Sequence, residues 1–575
     1  MEPDELECNP VLFELEGGGC RDRSAQIHDL PTEVLLLIFW RLHGQDIARC
    51  MRVSRAFADL TSSDVYLQYR IELAKNGMID GPSSTLPVSE RLQRLRRYSS
   101  NFRNGIFDHE DITAHPDYAQ EFRSLHWNSR TIAEGVTSVG YYMDNHRCFI
   151  SVLMDGSSQA GIPSRRLIIR IPSDQTRSTT GWIIDRSQDL FLTVECVGIG
   201  TNQRFFEIHF RSWSSSQMDH PAATLPCIQV FPPPGAFNSL EERIHVYSPI
   251  AVGCHVIWKL LASVGPVWNH SIHVCNWKSG QIIVGIDLGA TDQTFVELDD
   301  AFILVLPRHS DSGSEPHLRV YSLSPSASSH PLCFLQLPPL ILSPGDRVVA
   351  RCVGTSRQPP IPEGHFQADP SMSMIVISHS IESEATRPSP CRISKLLIPC
   401  TALLNQIRLV VDSDPASLGP PVLVPWQDWG PSASLRLLVP VHPHPDDFGN
   451  SIAMVPYGSR LPIVAFDDPV GHARASVYVI DINPLTARHA RLALAAQSES
   501  GARTTATAIV EDVEAALPGV VDPEIKGIPF VVYRFELPPL RPNWPMIRAV
   551  RMSMTGFTVT YGNDGPELND ESWTV

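Results

Sequence analysis

Residues 27–60 read IHDLPTEVLLLIFWRLHGQDIARCMRVSRAFADL. Val34, Leu35, Ile38, Phe39 and Leu42 recur at helical spacing, and Leu36, Leu37 and Trp40 add apolar surface on other faces. Pro31 suits the first turn of this helix, where a missing N–H costs nothing. Asp29 and Thr32 supply capping oxygens, and Glu33 places negative charge near the positive helix end. Gly44 is expected to break the helix. Ile47, Cys50, Met51 and Ser54 then carry a second helix, and Phe57 and Leu60 a third. So short a segment has more apolar surface than it can bury within itself. The surplus predicts a small helical module that docks onto another protein.

The ordered combination Leu30-Pro31-Thr32-Glu33-Val34-Leu35, Ile38-Phe39, Leu42, Asp46-Ile47, Cys50, Val53-Ser54-Arg55 and Phe57 resembles an F-box. The resemblance implies binding to the Skp1-like adaptor of a cullin-RING ubiquitin ligase, and through it to a cullin. It places Leu30, Pro31, Val34, Leu35, Ile38, Phe39, Leu42, Ile47 and Val53 at adaptor-contacting or module-packing positions. It further implies a non-catalytic substrate-recognition subunit of an SCF-type ligase, with no cofactor, working in the cytoplasm or nucleus on an unidentified target. The bland alternative is an ordinary helical hairpin in a larger core. Two other functions stand beside the ligase reading: a protein-interaction scaffold outside ubiquitin ligation, and a propeller enzyme with a helical preface.

Residues 1–25 carry Gly17-Gly18-Gly19 and mixed charges without periodicity, and are expected to be flexible. The module occupies 26–62, and linker helices are expected over 63–121. In the first of these helices Val65, Tyr69 and Leu73, with Ile71 or Met78, line one face, and Asn76-Gly77 is a C-terminal cap. In the second, from about 87 to 102, Leu92, Leu95, Ser99 and Phe102 recur at three- or four-residue spacing. Its Arg91, Arg94, Arg96, Arg97 and Arg103 read as a solvated face rather than a patch for an acidic partner. The runs LQYRIELAKNGMIDG and SERLQRLRRY resemble the segment that follows the F-box in a group of fungal F-box proteins.

From 122 to 575 short apolar runs alternate with Pro, Gly, Ser and Asp. Leu190–Val194, Phe205–Phe210, Ile272–Val274, Phe302–Leu306 and Val477–Ile480 are examples. Strands at this density predict a mainly β body behind the all-α module. Residues 271–287, SIHVCNWKSGQIIVGID, are a strand, a polar turn and a strand. Leu318 to Leu323 repeats the character of Ile272 to Trp277 after about 45 residues, the length of one four-stranded propeller blade. Residues 181–196 read as the turn and inner strand of an earlier blade, and 476–490 as a later outer strand. The region resembles degenerate WD-type repeats, so a β-propeller is expected, with β-sandwich domains as the alternative. The proline-rich stretches 355–370 and 412–431 read as long loops.

Over 575 residues, 62 acidic and 46 basic side chains give a formal charge of -16, which argues against general nucleic-acid binding. No run of about twenty apolar residues predicts a membrane span. The acidic start, MEPDELECNP, is unlike a secretory signal, so the 12 cysteines, none in a C-x-x-C pair, are expected in a reducing compartment as mostly buried small residues. No G-x-S-x-G, P-loop, G-x-G-x-x-G or H-E-x-x-H occurs. Asp108, His109, Glu110, Asp111, His115 and Asp117 form one His/Asp cluster, and His442, His444, Asp446 and Asp447 another; both read as solvated loops, and no metal site is expected. Asp299-Asp300 and Asp467-Asp468 read as turn chemistry. Trp213, Trp268, Trp426 and Trp429 are candidate target anchors or core residues.

Overall fold

The computed structural model describes residues 27, 30–82, 85–111, 126–133, 136–142, 148–154, 156–171, 177–198, 205–215, 218–231, 244–264, 267–289, 293–307, 309–310, 316–324, 330–340, 346–354, 363–383, 392–413, 421–440, 452–466, 474–500, 520–540, 546–562 and 568–575. The expectations for 1–25, Asp29, His115, Asp117, 442–447 and Asp467-Asp468 lie outside them. The described chain is mainly β, led by five helices: α1 (Thr32–Arg41), α2 (Gly44–Cys50), α3 (Arg55–Ser63), α4 (Val65–Lys75) and α5 (Val88–Arg103).

Local chemistry sets the helix ends. Pro31 is the N-cap of α1 rather than a first-turn residue, and no side chain caps that helix. The Pro31 carbonyl accepts from the Val34 and Leu35 amides at 3.0 and 3.1 Å. Gly44 opens α2 instead of merely ending α1, because α2 crosses α4 there: a Cβ at Gly44 would lie 2.3 Å from the Arg70 carbonyl oxygen. Ser54 is the N-cap of α3, not a residue of α2. Asp64 caps α4 by accepting from the Leu67 amide at 2.9 Å. Asn76 and Gly77 (φ 64°) end α4 as expected, whereas Met78 leaves the helix for a short strand, Met78–Asp80, paired with Phe366–Ala368. The expected face of α5 is buried at Leu92, Leu95, Ser99 and Phe102.

Among the described residues seven larger sheets follow, antiparallel apart from two parallel pairs, Cys333–Gln336 with Val422–Val424 and Met546–Met552 with Ala453–Val455. The first holds His126–Ala133, Val136–Tyr142, Cys148–Met154 and Arg165–Ile171, and the second Arg177–Asp185, Leu190–Val197, Phe205–Ser212 and Cys227–Val230. The third holds Ile244–Val252, His255–Val264, Val267–Asn276 and Gln281–Gly289. The fourth holds Gln293–Glu297, Phe302–Pro307, His317–Ser322 and Cys333–Gln336, with Val422–Val424 added in parallel. Asp346–Gly354, Met374–Ser383, Arg392–Pro399 and Leu435–Pro440 form the body of the fifth, and Arg460–Phe466, Ala475–Asp481 and Val531–Glu536 the sixth. The seventh joins Met546–Met552, Gly556–Gly562 and Leu568–Thr574 to an early strand, Asp108–Asp111. Among the described residues three further helices, α6 (Cys400–Ser413), α7 (Trp426–Trp429) and α8 (Pro484–Ser500), interrupt the later sheets.

Consecutive sheets share their cores. Ile150 and Val152 of the first meet Trp182 and Phe191 of the second, while Leu192 and Ile208 face Val256 and Trp258 of the third. Ile272 and Val274 pack on Ile303 and Val305, and Leu304 and Val320 on Ile375 and Ile377. The largest cluster joins the fifth, sixth and seventh sheets to α4 and α5 through Tyr69, Leu95, Tyr98 and Phe102. Because side chains alternate across a strand, a strand between two neighbours is apolar on both faces; the unbroken run Leu190–Val194 is one.

Several sequence expectations change. The repeat at about 45 residues is real in one respect: Val267–Asn276 and His317–Ser322 are both third strands of consecutive sheets. Residues 476–490 are not an outer strand and exit, since Ala475–Asp481 is central in its sheet and leads into α8. The 63–121 segment is not all helical, because Asp108–Asp111 is a strand of the last sheet. The stretch 412–431 is not simply a loop, because it carries Val422–Val424 and α7. Trp426 and Trp429 are core residues with rings 5.0 Å apart, not exposed anchors. Cys275, Cys333 and Cys400 are buried, and Cys50, Cys196, Cys227 and Cys254 are half-buried.

Candidate protein-docking face

The helical module has a finished core of its own. Leu35, Phe39, Ile47, Phe57, Leu67 and Ile71 are buried together, with Leu36, Leu42, Cys50, Met51 and Leu60 packed around them. The Phe39 and Phe57 rings meet edge to face at 5.2 Å. Arg70 reaches back from α4 to the Leu42 carbonyl at 2.8 Å, which fixes the end of α1. Three of the nine residues assigned to adaptor contact, Leu35, Phe39 and Ile47, therefore face inward and offer no surface. Leu42 is half-buried in the same core.

The other five stay outside. Leu30, Val34 and Ile38 are each 39% exposed, Val53 in the turn after α2 is 76% exposed, and Pro31 is exposed. Leu37, which the sequence reading placed on another face, is 58% exposed and shares this side of α1. Val34, Leu37 and Ile38 fall on one stripe of α1, opposite Leu35 and Phe39, and the exposed Leu30 and Pro31 precede the helix. That i, i+3, i+4 spacing was the available signal for Leu37. Trp40 lies beside the stripe, 39% exposed, with its ring 6.0 Å from Tyr66. Removing the rest of each aliphatic side chain from water is worth about 1 kcal/mol.

The module is joined to the body through α4 and α5. Asn483 donates from Nδ2 to the Ala74 and Lys75 carbonyls at 2.9 and 3.3 Å, and the Thr486 hydroxyl donates to the Lys75 carbonyl. The Tyr69 hydroxyl donates to Asp80 at 2.8 Å, and Arg91 pairs with the same carboxylate. The Tyr98 hydroxyl reaches the Met554 carbonyl at 2.8 Å, beneath the buried Arg460–Asp481 pair. The arginines of α5 are thus not a uniform solvated face: Arg91 and Arg94 hold Asp80 and Glu90, and Arg94 also donates to the Ser158 carbonyl.

Residues 27–74 match the F-box-like family. The match reaches past residue 62 and takes in most of α4, which supplies Leu67 and Ile71 to the module core. It covers the helical module and not the β region. Solved structures similar to the chain include the N-terminal domain of Nup159 (9% identity, 82% of this chain and 96% of that one, TM-score 0.26). A prolyl endopeptidase (8% identity, 82% and 57%, TM-score 0.27) and the uncharacterized protein lmo1340 of Listeria monocytogenes EGD-e (8% identity, 59% and 89%, TM-score 0.25) are also similar. At these scores the likenesses carry no argument about fold or activity. No match was found among curated proteins.

Titratable groups elsewhere have structural explanations. Asp299 accepts from the Ala301 and Phe302 amides at 2.9 Å each, the turn expected there. His109 lies in the Asp108–Asp111 strand, 3.2 Å from Glu571, so this part of its cluster is not a loop. On the second sheet, Glu207, His209 and Cys227 bring their ligand atoms within 4.8 Å of one another. The sequence reading passed over them, although polar residues at every second position of an apolar strand marked the place. Arg177 lies 2.8 Å from Glu207, and Arg211 3.0 Å from Glu195, so both carboxylates already face guanidinium groups whose charge opposes a cation. Burial, then Glu207 and Glu195, push the Cys227 thiol up to about 12. The arrangement fits a buried ion-pair network around an inert thiol. Among the described residues no helix is long and apolar enough to cross a membrane.

Proposed function

We propose that this chain is the substrate-recognition subunit of an SCF-type cullin-RING ubiquitin ligase. The F-box-like domain docks on a Skp1-like adaptor and through it on a cullin. The β-rich region binds a target protein and presents its lysines to the conjugating enzyme. The chain makes no covalent bond itself; its contribution is proximity, which raises the effective concentration of the reactants. The carrying observation is the apolar stripe of α1, left in water although the module's own core is complete. Such a stripe on an F-box-like domain fits a separate subunit better than an intramolecular role. The segment after the module supports a place among the fungal F-box proteins, working in the cytoplasm or nucleus.

We further infer that the seven sheets are blades of a β-propeller. Three features support this reading over paired sandwiches. Cores lie between consecutive sheets along the whole chain. The leading strands of the first three sheets touch in turn, as do those of the fourth and fifth and of the sixth and seventh. The early strand Asp108–Asp111 completes the last sheet, a device that ties the two ends of a ring.

The test is reconstitution of the full chain with adaptor and cullin. Wild type should co-purify with both, and Leu30→Ala with Pro31→Ala, or Leu37→Asp, should lose both while melting unchanged. Adaptor binding without cullin would point to a scaffold outside ubiquitin ligation. Undiminished adaptor binding by these variants would overturn the assignment of the stripe.

A further inference from the structure

The seam between α4, α5 and α8 forms a pocket of about 310 Å³ that is open to solvent. Lys75, Arg96, Ser99, Ser100, Arg103 and His489 line it. Glu72 is the one carboxylate on its wall, and its ion pair with Lys75 is long, at 3.4 Å. Arg96 donates to the neutral Gln68 side chain at 3.0 Å, and Arg103 bonds the Tyr533 hydroxyl. Among the described residues neither arginine is joined to a carboxylate. The cavity therefore holds a surplus of two positive charges in a chain whose formal charge is -16. Partial burial, then the charges of Lys75 and Arg103, hold the His489 imidazole below its usual range, so it adds a neutral polar group.

Ser99 supplies an independent observation. It is 3% exposed, lies inside α5, and its hydroxyl has no hydrogen-bond partner among the described residues. A serine inside a helix commonly bonds back to a carbonyl one turn earlier, and a buried hydroxyl without a partner is uncommon. Ser99 lines the basic pocket, and its hydroxyl oxygen is itself closed to solvent behind that wall.

We propose that this pocket binds a small phosphate-bearing ligand, with Lys75, Arg96 and Arg103 as counter-charges and the exposed Ser100 hydroxyl as a donor. A phosphate monoester carries about -1.5 to -2 charges at neutral pH, which matches the surplus. Guanidinium forks and hydroxyls are its ordinary protein ligands. The site is distinct from the α1 stripe and does not rest on the ligase reading. Its walls come from α4 and α5, which carry the F-box-like domain, and from α8 of the body. A bound phosphate would pin these three helices together at the joint.

The full chain is titrated by calorimetry with inorganic phosphate and, separately, with glycerol 2-phosphate, at constant ionic strength set by sodium chloride. One saturable site is expected, together with a melting temperature that rises with phosphate but not with matched chloride. Lys75→Gln and Arg103→Gln should each weaken binding about tenfold or more, while Lys75→Arg retains it. Arg96→Gln, altering an exposed side chain, gives the same reading should either of the others fail to fold. Tighter binding of the free anion identifies an inorganic-phosphate site, and tighter binding of the ester a site for a phosphorylated metabolite. Absence of saturable binding by both probes, or unchanged affinity in all the charge-removing variants, overturns the proposal.

Discussion

Phe39 and Leu37 are two positions apart on α1, yet their substitutions should act on different properties. Phe39 is 2% exposed and packs against Phe57, so Phe39→Ala empties the module core and should cost about 3–5 kcal/mol of that domain's stability. Leu37 is 58% exposed, so Leu37→Asp should change stability by no more than about 0.5 kcal/mol. On the proposed function it should still weaken adaptor binding by about tenfold or more, since a charge replaces an apolar contact. Thermal melts paired with adaptor titrations separate the two effects. A Leu37→Asp protein that binds normally would take the stripe out of the interface. Gly44 makes the same point about backbone. Gly44→Ala drives a Cβ into the Arg70 carbonyl and should cost roughly 1–3 kcal/mol, which a shift of the chemical-denaturation midpoint would reveal. From sequence Gly44 looked like punctuation, because the helix that crosses it lies some thirty residues later and periodicity within one helix cannot report the crossing.

At the level of single elements, periodicity was the readable signal. The buried face of α5 and the Asn76-Gly77 end of α4 follow from spacing and cap chemistry, both local. The strand Asp108–Asp111 was hidden because its partner, Leu568–Thr574, is more than 450 residues away and its own residues, Asp-His-Glu-Asp, are poor strand formers. The division of F-box positions into inward and outward was half legible: the motif named candidate positions, and only the packing of the module's helices decided which of them remain outside. The strand Met374–Ser383 carries a different consequence. Ile375 and Ile377 alternate into the core shared with the fourth sheet. His379 follows at the same period, and burial, then the nearby Arg436 charge, lowers it to about 4. The unfolded chain takes up this proton near its ordinary value of 6.5, and the folded chain only near 4. The neutral imidazole is therefore tolerated in full above about pH 6.5, and stability is lost as pH falls from there toward 4. At 1.36 kcal/mol per unit the loss is about 3 kcal/mol. Urea midpoints from pH 7 to 4.5 should fall in wild type and fall less steeply in His379→Leu. Equal slopes in the two proteins would remove His379 as the source.

For the molecule as a whole, the helical module and the body are not two beads on a string. Tyr69, Leu73, Leu92, Leu95, Tyr98 and Phe102 belong to the same buried cluster as the fifth, sixth and seventh sheets. The guanidinium of the buried Arg460 lies 4.3 Å from the Phe102 ring and donates to the Tyr98 hydroxyl at 3.3 Å. A chain shortened to residues 122–575, the boundary that composition alone suggests, would lose α4, α5 and the strand that completes the last sheet. It would uncover the Leu568–Thr574 edge and strip aromatic partners from a buried charge, two routes to aggregation and to loss of cooperative unfolding. A chain shortened to 64–575 keeps all of these and lacks only α1 to α3. It uncovers Leu67 and Ile71, so both should be changed to Gln to keep it soluble. Calorimetry and size exclusion should then find 64–575 monomeric with one sharp transition and no adaptor binding, while 122–575 is aggregated or melts without a transition. A soluble 122–575 chain that unfolds in one sharp step at the full chain's temperature would mean that α4 and α5 merely rest on the body. On the proposed function, the rigid splice needed to hold a target at a fixed distance from the adaptor would then be absent.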